Sequence, residues 1–291
     1  MDRIEAQRSF FARVITAKAG VAADSALCTA FASTPRERFV GAPPWKIFTR
    51  TGYIEAPSDD PGLLYQDVVV SLGTEGPLNN GEPSLHAFCL ATLNVRKGDK
   101  VVHVGAGTGY YTTILAKLVG EGGSVDAYEV EPRLIIRSIE NLRELPQVTV
   151  HGKSGAEGSL PSCDVLYVNA GATSPMPAWL DALNPGGRLL FPLTPEEGAG
   201  AMLLITKLES GSYSARFLFP AQFVGCLGAR TEDEGRRLTK AFREGKWATV
   251  RSLRRDGTPD STCWFAGPGW WLSTDVAGGL RPVHGDGTLS P

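Results

Sequence analysis

The chain has few cysteines, no long apolar run and no excess of charge of either sign. Its five cysteines stand far apart among 291 residues, without the paired spacing that would bring two thiolates to one metal ion. We therefore expect reduced thiols, no metal site and a cytoplasmic location. No stretch approaches the roughly 20 apolar residues that a membrane-spanning helix needs, and the charged first residues predict no signal peptide. We expect no membrane association.

The charge balance is close to neutral, with 29 Lys and Arg against 31 Asp and Glu. It therefore gives no reason to expect nucleic acid as a partner. The length and a hydrophobic fraction of 42% predict one main domain with an appended module. We place a core with an N-terminal helical segment at 1–228, an accessory segment at 229–275 and a flexible tail at 276–291.

Hydrophobic periodicity predicts alternating strands and helices through most of the core. A first helix would bury Phe10, Phe11, Val14 and Ile15, and a later one, starting at Pro132, would bury Ile135, Ile139 and Leu142. Buried strands are predicted at VVHV (101–104), SVDAYEV (124–130), QVTVHG (147–152) and DVLYVNA (164–170). Two further strands, AMLLITKL and ARFLFPAQFV, form a hairpin. The pattern is typical of a three-layer α/β fold, mostly parallel, with an antiparallel C-terminal hairpin.

The accessory segment changes character after Gly228. Residues 231–245 predict a charged helix, 246–255 (KWATVRSLRR) a strand, 256–261 (DGTPDS) a turn and 262–273 (TCWFAGPGWWLS) an aromatic strand. The two strands would form a tryptophan-rich hairpin. Basic residues interleaved with aromatics can hold single-stranded nucleic acid, and the same surface could clamp a peptide. Packing on the core or across a homodimer interface is the preferred interpretation, since tryptophans more often pack than stack on bases.

A glycine-rich loop between a predicted strand and helix is the strongest single signal. Such a loop presents backbone N–H groups to a ligand, and glycine allows close approach. The third glycine comes one residue earlier than in the dinucleotide fingerprint, which favours S-adenosyl-L-methionine over a nicotinamide cofactor. Glu129, 20 residues after Gly109, would accept hydrogen bonds from the ribose hydroxyls. The loop candidates are Gly105, Ala106, Gly107, Thr108 and Gly109.

Several ordered segments together resemble the protein-L-isoaspartate O-methyltransferase family. They are PRERFV (35–40), LYQDVVV (64–70), EPSLHAFCLATL (82–93), the glycine loop and FLFPAQFV (217–224). The resemblance covers roughly residues 30–228. It implies a Rossmann-like fold, S-adenosyl-L-methionine as cofactor, and transfer of a methyl group to a carboxylate of a protein or peptide substrate, which in that family is the L-isoaspartyl side chain.

The resemblance fails at the acceptor loop. Where the family carries Thr-Ile-Ser, this chain has Asn79, Asn80 and Gly81, so the serine hydroxyl is absent and the acceptor need not be isoaspartate. His86 lies in an apolar helical stretch, which favours a packed, hydrogen-bonded histidine over a base. The acceptor-site candidates are Tyr65, Asp67, Asn79, Asn80, Gly81, Glu82 and His86.

Two more departures fall in the cofactor site. His103 stands where the family usually has a glutamate before its glycine loop, and Lys153 with Ser154 replaces part of a Gly-Asp-Gly segment near the adenine. His103 cannot supply the missing negative charge, whereas the Ser154 hydroxyl can accept a hydrogen bond from the adenine amine. Two alternatives stay open: methyl transfer to a small molecule or RNA, and a non-catalytic cofactor-binding or interaction module.

Overall fold

The computed structural model describes residues 2–73, 78–255 and 257–278. The helices are α1 (Arg3–Lys18), α2 (Ala26–Ala32), α3 (Glu37–Val40), α4 (Pro83–Leu93), α5 (Tyr110–Val119), α6 (Pro132–Leu142), α7 (Pro177–Ala182) and α8 (Glu232–Glu244), with 3-10 turns at Pro61–Leu64 and Trp247–Thr249. The strands are β1 (Lys46–Thr49), β2 (Gly52–Glu55), β3 (Lys100–Val104), β4 (Ser124–Tyr128), β5 (Val148–His151), β6 (Cys163–Val168), β7 (Leu183–Leu193), β8 (Gly200–Lys207), β9 (Tyr213–Ala221), β10 (Ser252–Arg254), β11 (Cys263–Gly267) and β12 (Trp270–Ser273).

Ten of these strands form one sheet in the order β11-β12-β10-β9-β8-β7-β6-β3-β4-β5. The pairs from β5 to β7 are parallel, and those from β7 to β11 are antiparallel. The central parallel strands β3 and β6 are apolar runs because both of their faces are covered. The predicted three-layer α/β fold is confirmed, and the accessory segment lengthens its antiparallel edge.

Two hydrophobic layers sandwich the sheet. On one face, α1, α2, α4 and α5 share a buried cluster with Val101, Val165 and Leu190 of the strands. On the other face, α7 and α8 pack over Leu166 and Leu203. Strands β1 and β2 form a separate hairpin, which the sequence analysis did not predict. The parallel strands therefore run between two covered faces.

The predicted apolar face of α1 is half wrong. Phe11 and Ile15 are buried, but Phe10 is 67% exposed and Val14 is also exposed. The buried stripe runs through Phe11, Ala12, Ile15 and Thr16, because residues at i, i+1, i+4 and i+5 share one side of a helix. Phe10 and Val14 lie one step further around and point away from the core.

The stripe of α6 is also shifted from its predicted position. Leu134, Ser138 and Leu142 are buried at i, i+4 and i+8, whereas Ile139 is 53% exposed. Leu142 is the predicted member that does reach the core. The three isoleucines of this helix lie beside the buried stripe, so the sequence pattern placed the apolar face on the wrong side of the helix.

The accessory segment continues the main sheet. β10 pairs with β9, and its Leu253 lies in the same buried cluster as Leu272 of β12 and Leu203 of β8. The predicted strand at 246–255 is wrong in its first half, where a 3-10 turn precedes the short strand β10. The single strand predicted at 262–273 is two antiparallel strands, β11 and β12. Gly245 and Lys246 both have positive φ, which turns the chain after α8 before it can extend.

The tryptophans of this segment pack within the chain. Trp264 donates from Nε1 to the Gly245 carbonyl at 2.9 Å, and its ring meets Phe217 and Phe242 edge to face. Trp270 and Trp271 are buried. Packing therefore accounts for these rings.

The division at 228 stays a prediction, and positions 279–291 of the predicted tail lie outside the described residues.

The described residues contain no candidate membrane-spanning helix and no candidate metal site. No helix in this part of the chain combines the length and apolarity needed to cross a membrane. No three His, Cys, Asp or Glu side chains within it are grouped closely enough to hold a metal ion.

Because the accessory hairpin shares the core, Leu272→Ala is expected to destabilise the whole protein by ~2–5 kcal/mol, the usual cost of a buried Leu-to-Ala cavity. The matched control is Ile136→Ala at a side chain that is 68% exposed, with an expected effect below ~0.5 kcal/mol. Urea unfolding followed by circular dichroism measures both. An unchanged midpoint for Leu272→Ala would mean that the hairpin is not part of the core.

Candidate functional site

Two adjoining cavities open at the carboxyl ends of the parallel strands, where α/β sheets generally bind ligands. The larger has a volume of about 550 Å³ and the smaller about 120 Å³. They meet at a common wall that includes Asn79, Gly105, Gly107, Asn169 and Val224. The arrangement suits two ligands, or two parts of a reacting pair, that come together at this wall.

The glycine loop forms part of both cavities. Gly105 and Gly107 line each of them and have φ of +76° and +59°, a backbone conformation that favours glycine. Ala106 and Thr108 line the larger cavity, and the Thr108 hydroxyl donates to the Phe39 carbonyl at 2.7 Å. The loop is thereby fixed to the PRERFV segment (35–40).

Gly109 lines neither cavity. It has φ of +94°, and an added Cβ would lie 2.9 Å from Leu142 Cδ1. The third glycine therefore lets the start of α5 pack against α6. It contributes to the site through the shape of the loop and not by facing a ligand.

Glu129, at the end of β4, lines the smaller cavity. Its Oε2 accepts from the Gly107 N–H at 2.7 Å, and its Oε1 accepts from the N–H groups of Val130 and Glu131 at 2.8 and 3.0 Å. An ionised carboxylate offers about four acceptor positions, so three backbone bonds leave room for a ligand hydroxyl. Glu129 both ties the glycine loop to β4 and presents an acceptor to the cavity.

Ser154 and Lys153 line the same cavity on its far side. The Ser154 hydroxyl donates to the Leu227 carbonyl at 2.9 Å and accepts from the Ala156 N–H at 3.1 Å. One lone pair of this hydroxyl is left for a ligand donor. The Lys153 ammonium lies 5.9 Å from the centre of the Tyr128 ring.

His103 is fully buried and faces neither cavity. Its Nε2 lies 2.8 Å from Asn169 Nδ2 and its Nδ1 lies 2.9 Å from the Thr112 hydroxyl. Burial lowers the pKa of His103 to about 3, so the ring is neutral at pH 7. Since the Asn169 amide donates to Nε2, the proton sits on Nδ1 and is donated to Thr112.

This bond fixes which way the Asn169 amide points. Its Nδ2 is turned to His103, and its Oδ1 is buried without a hydrogen-bond partner among the described residues. A buried carbonyl oxygen at the junction of two cavities is a place where a ligand donor fits. The sequence analysis missed Asn169, although a polar residue directly after the buried strand β6 was a usable signal.

The acceptor-loop candidates lie together on the wall of the larger cavity, which includes Asn79, Asn80, Gly81 and Glu82. Asn79 Oδ1 accepts from the Gly81 N–H at 2.9 Å, a local turn typical of asparagine. Asn80 Oδ1 accepts from the Val70 N–H at 3.0 Å. The two side-chain carbonyls thus hold the loop in place.

Tyr65 and Asp67 line neither cavity. The Tyr65 hydroxyl donates to Glu37 at 2.5 Å, and burial raises its pKa to about 12. Asp67 accepts from Lys18 at 2.5 Å and from the Ser84 N–H at 2.9 Å in the first turn of α4. Asp67 therefore joins α1 to α4, and Tyr65 ties the end of the 3-10 turn to α3.

His86 is buried but reaches the larger cavity with one edge. Its Nδ1 lies 2.7 Å from the Tyr167 hydroxyl, and its ring stacks on Tyr111 at a centroid distance of 3.7 Å. Burial, reinforced by His103 and Arg36, lowers the pKa of His86 to about 3. The ring is therefore neutral at pH 7 and a weak base.

Aromatic side chains that the sequence analysis missed surround the mouth of the larger cavity. Phe48 and Tyr53 belong to the β1–β2 hairpin, and their rings meet edge to face at 5.3 Å. Phe48 is 53% exposed, which is unusual for a phenylalanine with a core role. The opposite side of the cavity is formed by the segment after β9, with Gln222, Phe223 and Val224.

A family model described as protein-L-isoaspartate(D-aspartate) O-methyltransferase (PCMT) matches residues 13–231. A protein-L-isoaspartate O-methyltransferase from Ignicoccus hospitalis is 32% identical over 166 residues, which cover 56% of this chain and 77% of that protein. A protein-L-isoaspartate O-methyltransferase 2 from Anaeromyxobacter sp. strain Fw109-5 is 31% identical over 207 residues, 69% of this chain and 75% of that protein.

Solved structures share the fold. A protein-L-isoaspartate O-methyltransferase structure superposes with a TM-score of 0.64 at 22% identity, covering 85% of this chain and 72% of that one. A Plasmodium falciparum structure described as a protein of the same name, in complex with S-adenosyl-L-homocysteine, gives a TM-score of 0.61 at 20% identity, covering 76% and 98%.

The neutral, buried state of His103 predicts acid sensitivity. Its folded pKa of about 3 lies below the ordinary value of 6.5, so the unfolded chain binds the proton more readily and stability falls as the pH drops below 6.5. Between pH 7 and pH 5 the titration of this histidine should lower the free energy of unfolding by about 2 kcal/mol. We expect the free energy of unfolding of His103→Gln to fall by about 2 kcal/mol less than that of the parent between pH 7 and pH 5, as measured by urea unfolding. Parallel losses would contradict the burial of a neutral ring.

Proposed function

Because the chain belongs to the protein-L-isoaspartate(D-aspartate) O-methyltransferase family, we propose that it transfers the methyl group of S-adenosyl-L-methionine to a carboxylate of a protein or peptide. The observation that carries the proposal is the pair of cavities that meet at Gly105, Gly107 and Asn169. One cavity suits the cofactor, the other suits the acceptor, and the shared wall is where their reacting groups meet.

The polar groups of the two cavities fit the cofactor. The unpartnered Asn169 Oδ1 suits the ammonium group of its methionine end, and Glu129 suits a ribose hydroxyl. Ser154 suits the adenine amine. In place of the family's glutamate, the neutral His103 directs an amide oxygen towards the ligand. When bound, S-adenosyl-L-methionine supplies an electrophilic methyl group.

The chemistry of the larger cavity favours a carboxylate acceptor over an alcohol or amine. A carboxylate can attack the methyl group without losing a proton first, whereas the other two usually need a general base. His86 is too weak a base, because its pKa is about 3. Burial raises the pKa of Tyr110 and Tyr111, so both stay protonated. What the wall provides is alignment and exclusion of water for an in-line displacement.

The mouth of the cavity supports a peptide as the molecule that carries the acceptor. Phe48 and Tyr53 offer exposed aromatic surface beside the opening, where side chains that flank the acceptor can pack. The intrachain packing of the tryptophans supports neither a homodimer through the accessory segment nor a nucleic-acid partner. Five unpaired cysteines agree with the prediction of a cytoplasmic location.

The acceptor class is tested by incubating the protein with radiolabelled S-adenosyl-L-methionine and matched isoaspartyl and aspartyl peptides. A carboxyl methyl ester releases its label as methanol in alkali, whereas N-methyl groups and ethers keep it, so we expect alkali-labile label. Alkali-stable label that disappears in Glu82→Gln would instead show an acceptor activated by that carboxylate. If neither peptide receives a methyl group, the proposal that the acceptor is an isoaspartyl or aspartyl carboxylate is overturned.

The cofactor site is tested by calorimetry. Glu129→Gln is expected to weaken S-adenosyl-L-methionine binding by ~1–3 kcal/mol, about 5- to 150-fold in Kd, because hydrogen bonds to a charged group are lost. Glu140→Gln on the exposed side of α6 is the matched control and should bind as the parent does. Equal affinity of the two variants would remove Glu129 from the site, and absence of binding by the parent would overturn the proposed cofactor role.

A further inference from the structure

On the wall of the larger cavity, the His86 ring fills the position that a side chain at residue 81 would take. A Cβ added to Gly81, which has φ of +70°, would lie 2.1 Å from His86 Nε2 and 2.8 Å from Cδ2. The imidazole nitrogen therefore stands where a side chain at position 81 would begin. The absence of that side chain leaves Nε2 as the polar atom at this point of the cavity.

We infer that His86 Nε2–H and the Asn80 amide together bind the acceptor carboxylate, in place of the hydroxyl that the family carries at position 81. This inference rests on the proposed function and deepens it, because it names the two side chains that hold the acceptor and its ionised state. Both side chains are more than nine-tenths buried, and both line the larger cavity.

The tautomer of His86 follows from its neighbour. Tyr167 is fully buried, and burial holds the pKa of its hydroxyl well above the ordinary range, so it always has a proton to donate. Imidazole nitrogen is a much better acceptor for this proton than the sulfur of nearby Cys89. Tyr167 therefore donates to His86 Nδ1, and the ring proton sits on Nε2, facing the cavity.

Asn80 provides the second donor. Its Oδ1 is occupied by the Val70 N–H at 3.0 Å and by the Arg36 guanidinium at 3.3 Å, which fixes the orientation of the amide. Its Nδ2 is then buried with no hydrogen-bond partner in the described part of the chain. A positive charge on the Oδ1 side of an amide strengthens its N–H groups as donors.

The two donors select an anion. Neither donor carries a charge of its own. The Arg36 guanidinium, however, is hydrogen-bonded to Asn80 Oδ1, so its positive charge raises the electrostatic potential at the wall. A carboxylate can accept both hydrogen bonds on one oxygen, or one hydrogen bond on each of its two oxygens. In both cases it keeps lone pairs for attack on the methyl group. A neutral amide or alcohol gains less from the same wall.

Two substitutions remove the donors while preserving the surrounding packing. His86→Phe keeps the aromatic ring against Tyr111 and loses the N–H. Asn80→Asp keeps an oxygen for Val70 and Arg36 and replaces the donor by a repelling carboxylate. We expect each to lower kcat/KM for the peptide about 10- to 100-fold, mostly through KM, with unchanged affinity for S-adenosyl-L-methionine. Ile136→Ala serves as the control with parental kinetics. Unchanged kinetics in both variants would overturn the inference.

A second measurement does not depend on turnover. With ¹⁵N-labelled histidine, NMR reports which nitrogen of His86 is protonated, and the expected result is Nε2–H in the parent and redistribution to Nδ1–H in Tyr167→Phe. An Nδ1–H parent would overturn the inference. Addition of an isoaspartyl peptide with S-adenosyl-L-homocysteine should shift the Nε2–H signal.

The two failures are distinguishable. Methyl transfer without a shift of the His86 signal would overturn the role of His86 and leave the proposed function standing. A shift without any methyl transfer would support the carboxylate-binding pair and overturn the proposed reaction.

Discussion

A fully buried guanidinium, that of Arg36, organises the acceptor side of the molecule. It donates to the carbonyls of Leu64 and Gln66 at 2.7 and 3.0 Å, to that of Val68, and to Asn80 Oδ1 at 3.3 Å. Burying a cation costs several kcal/mol, so it persists only where dipoles surround it. Here the dipoles belong to the segment that leaves the 3-10 turn at Leu64 and to Asn80, and the cation ties the two together.

A second buried polar group plays the matching role on the cofactor side. His103 does not touch either cavity, yet it decides which atom of Asn169 does. The neutral ring contributes no charge at this point and instead orients the dipole of an amide. On each side of the site an inner residue, Arg36 or His103, orients an asparagine, Asn80 or Asn169, whose remaining polar atom has no partner among the described residues.

Most strands and helices between 101 and 224 followed from hydrophobic periodicity, because buried parallel strands and amphipathic helices leave strong local patterns. The short helix α7 did not, since six residues carry too little periodicity. The loop glycines and Glu129 followed from spacing along one strand–loop–helix unit. Asn80, Asn169 and the edge of His86 did not, since their orientation depends on Arg36, His103 and Gly81, which come from other segments. The inner face of α1 was misjudged because Phe10 is apolar yet lies outside the buried stripe.

The accessory segment also changes where the sheet ends. Without it, β9, 9 residues long, would be the outer strand, with a row of unpaired backbone groups. With it, the outer strand is β11, which has 5 residues and an irregular register between Cys263 and Phe265, and the guanidinium of Arg237 occupies the Ala266 carbonyl. A short, kinked and partly capped strand is a poor template for another extended chain. A protein that we propose to act on peptides is thereby kept from adding them to its own sheet.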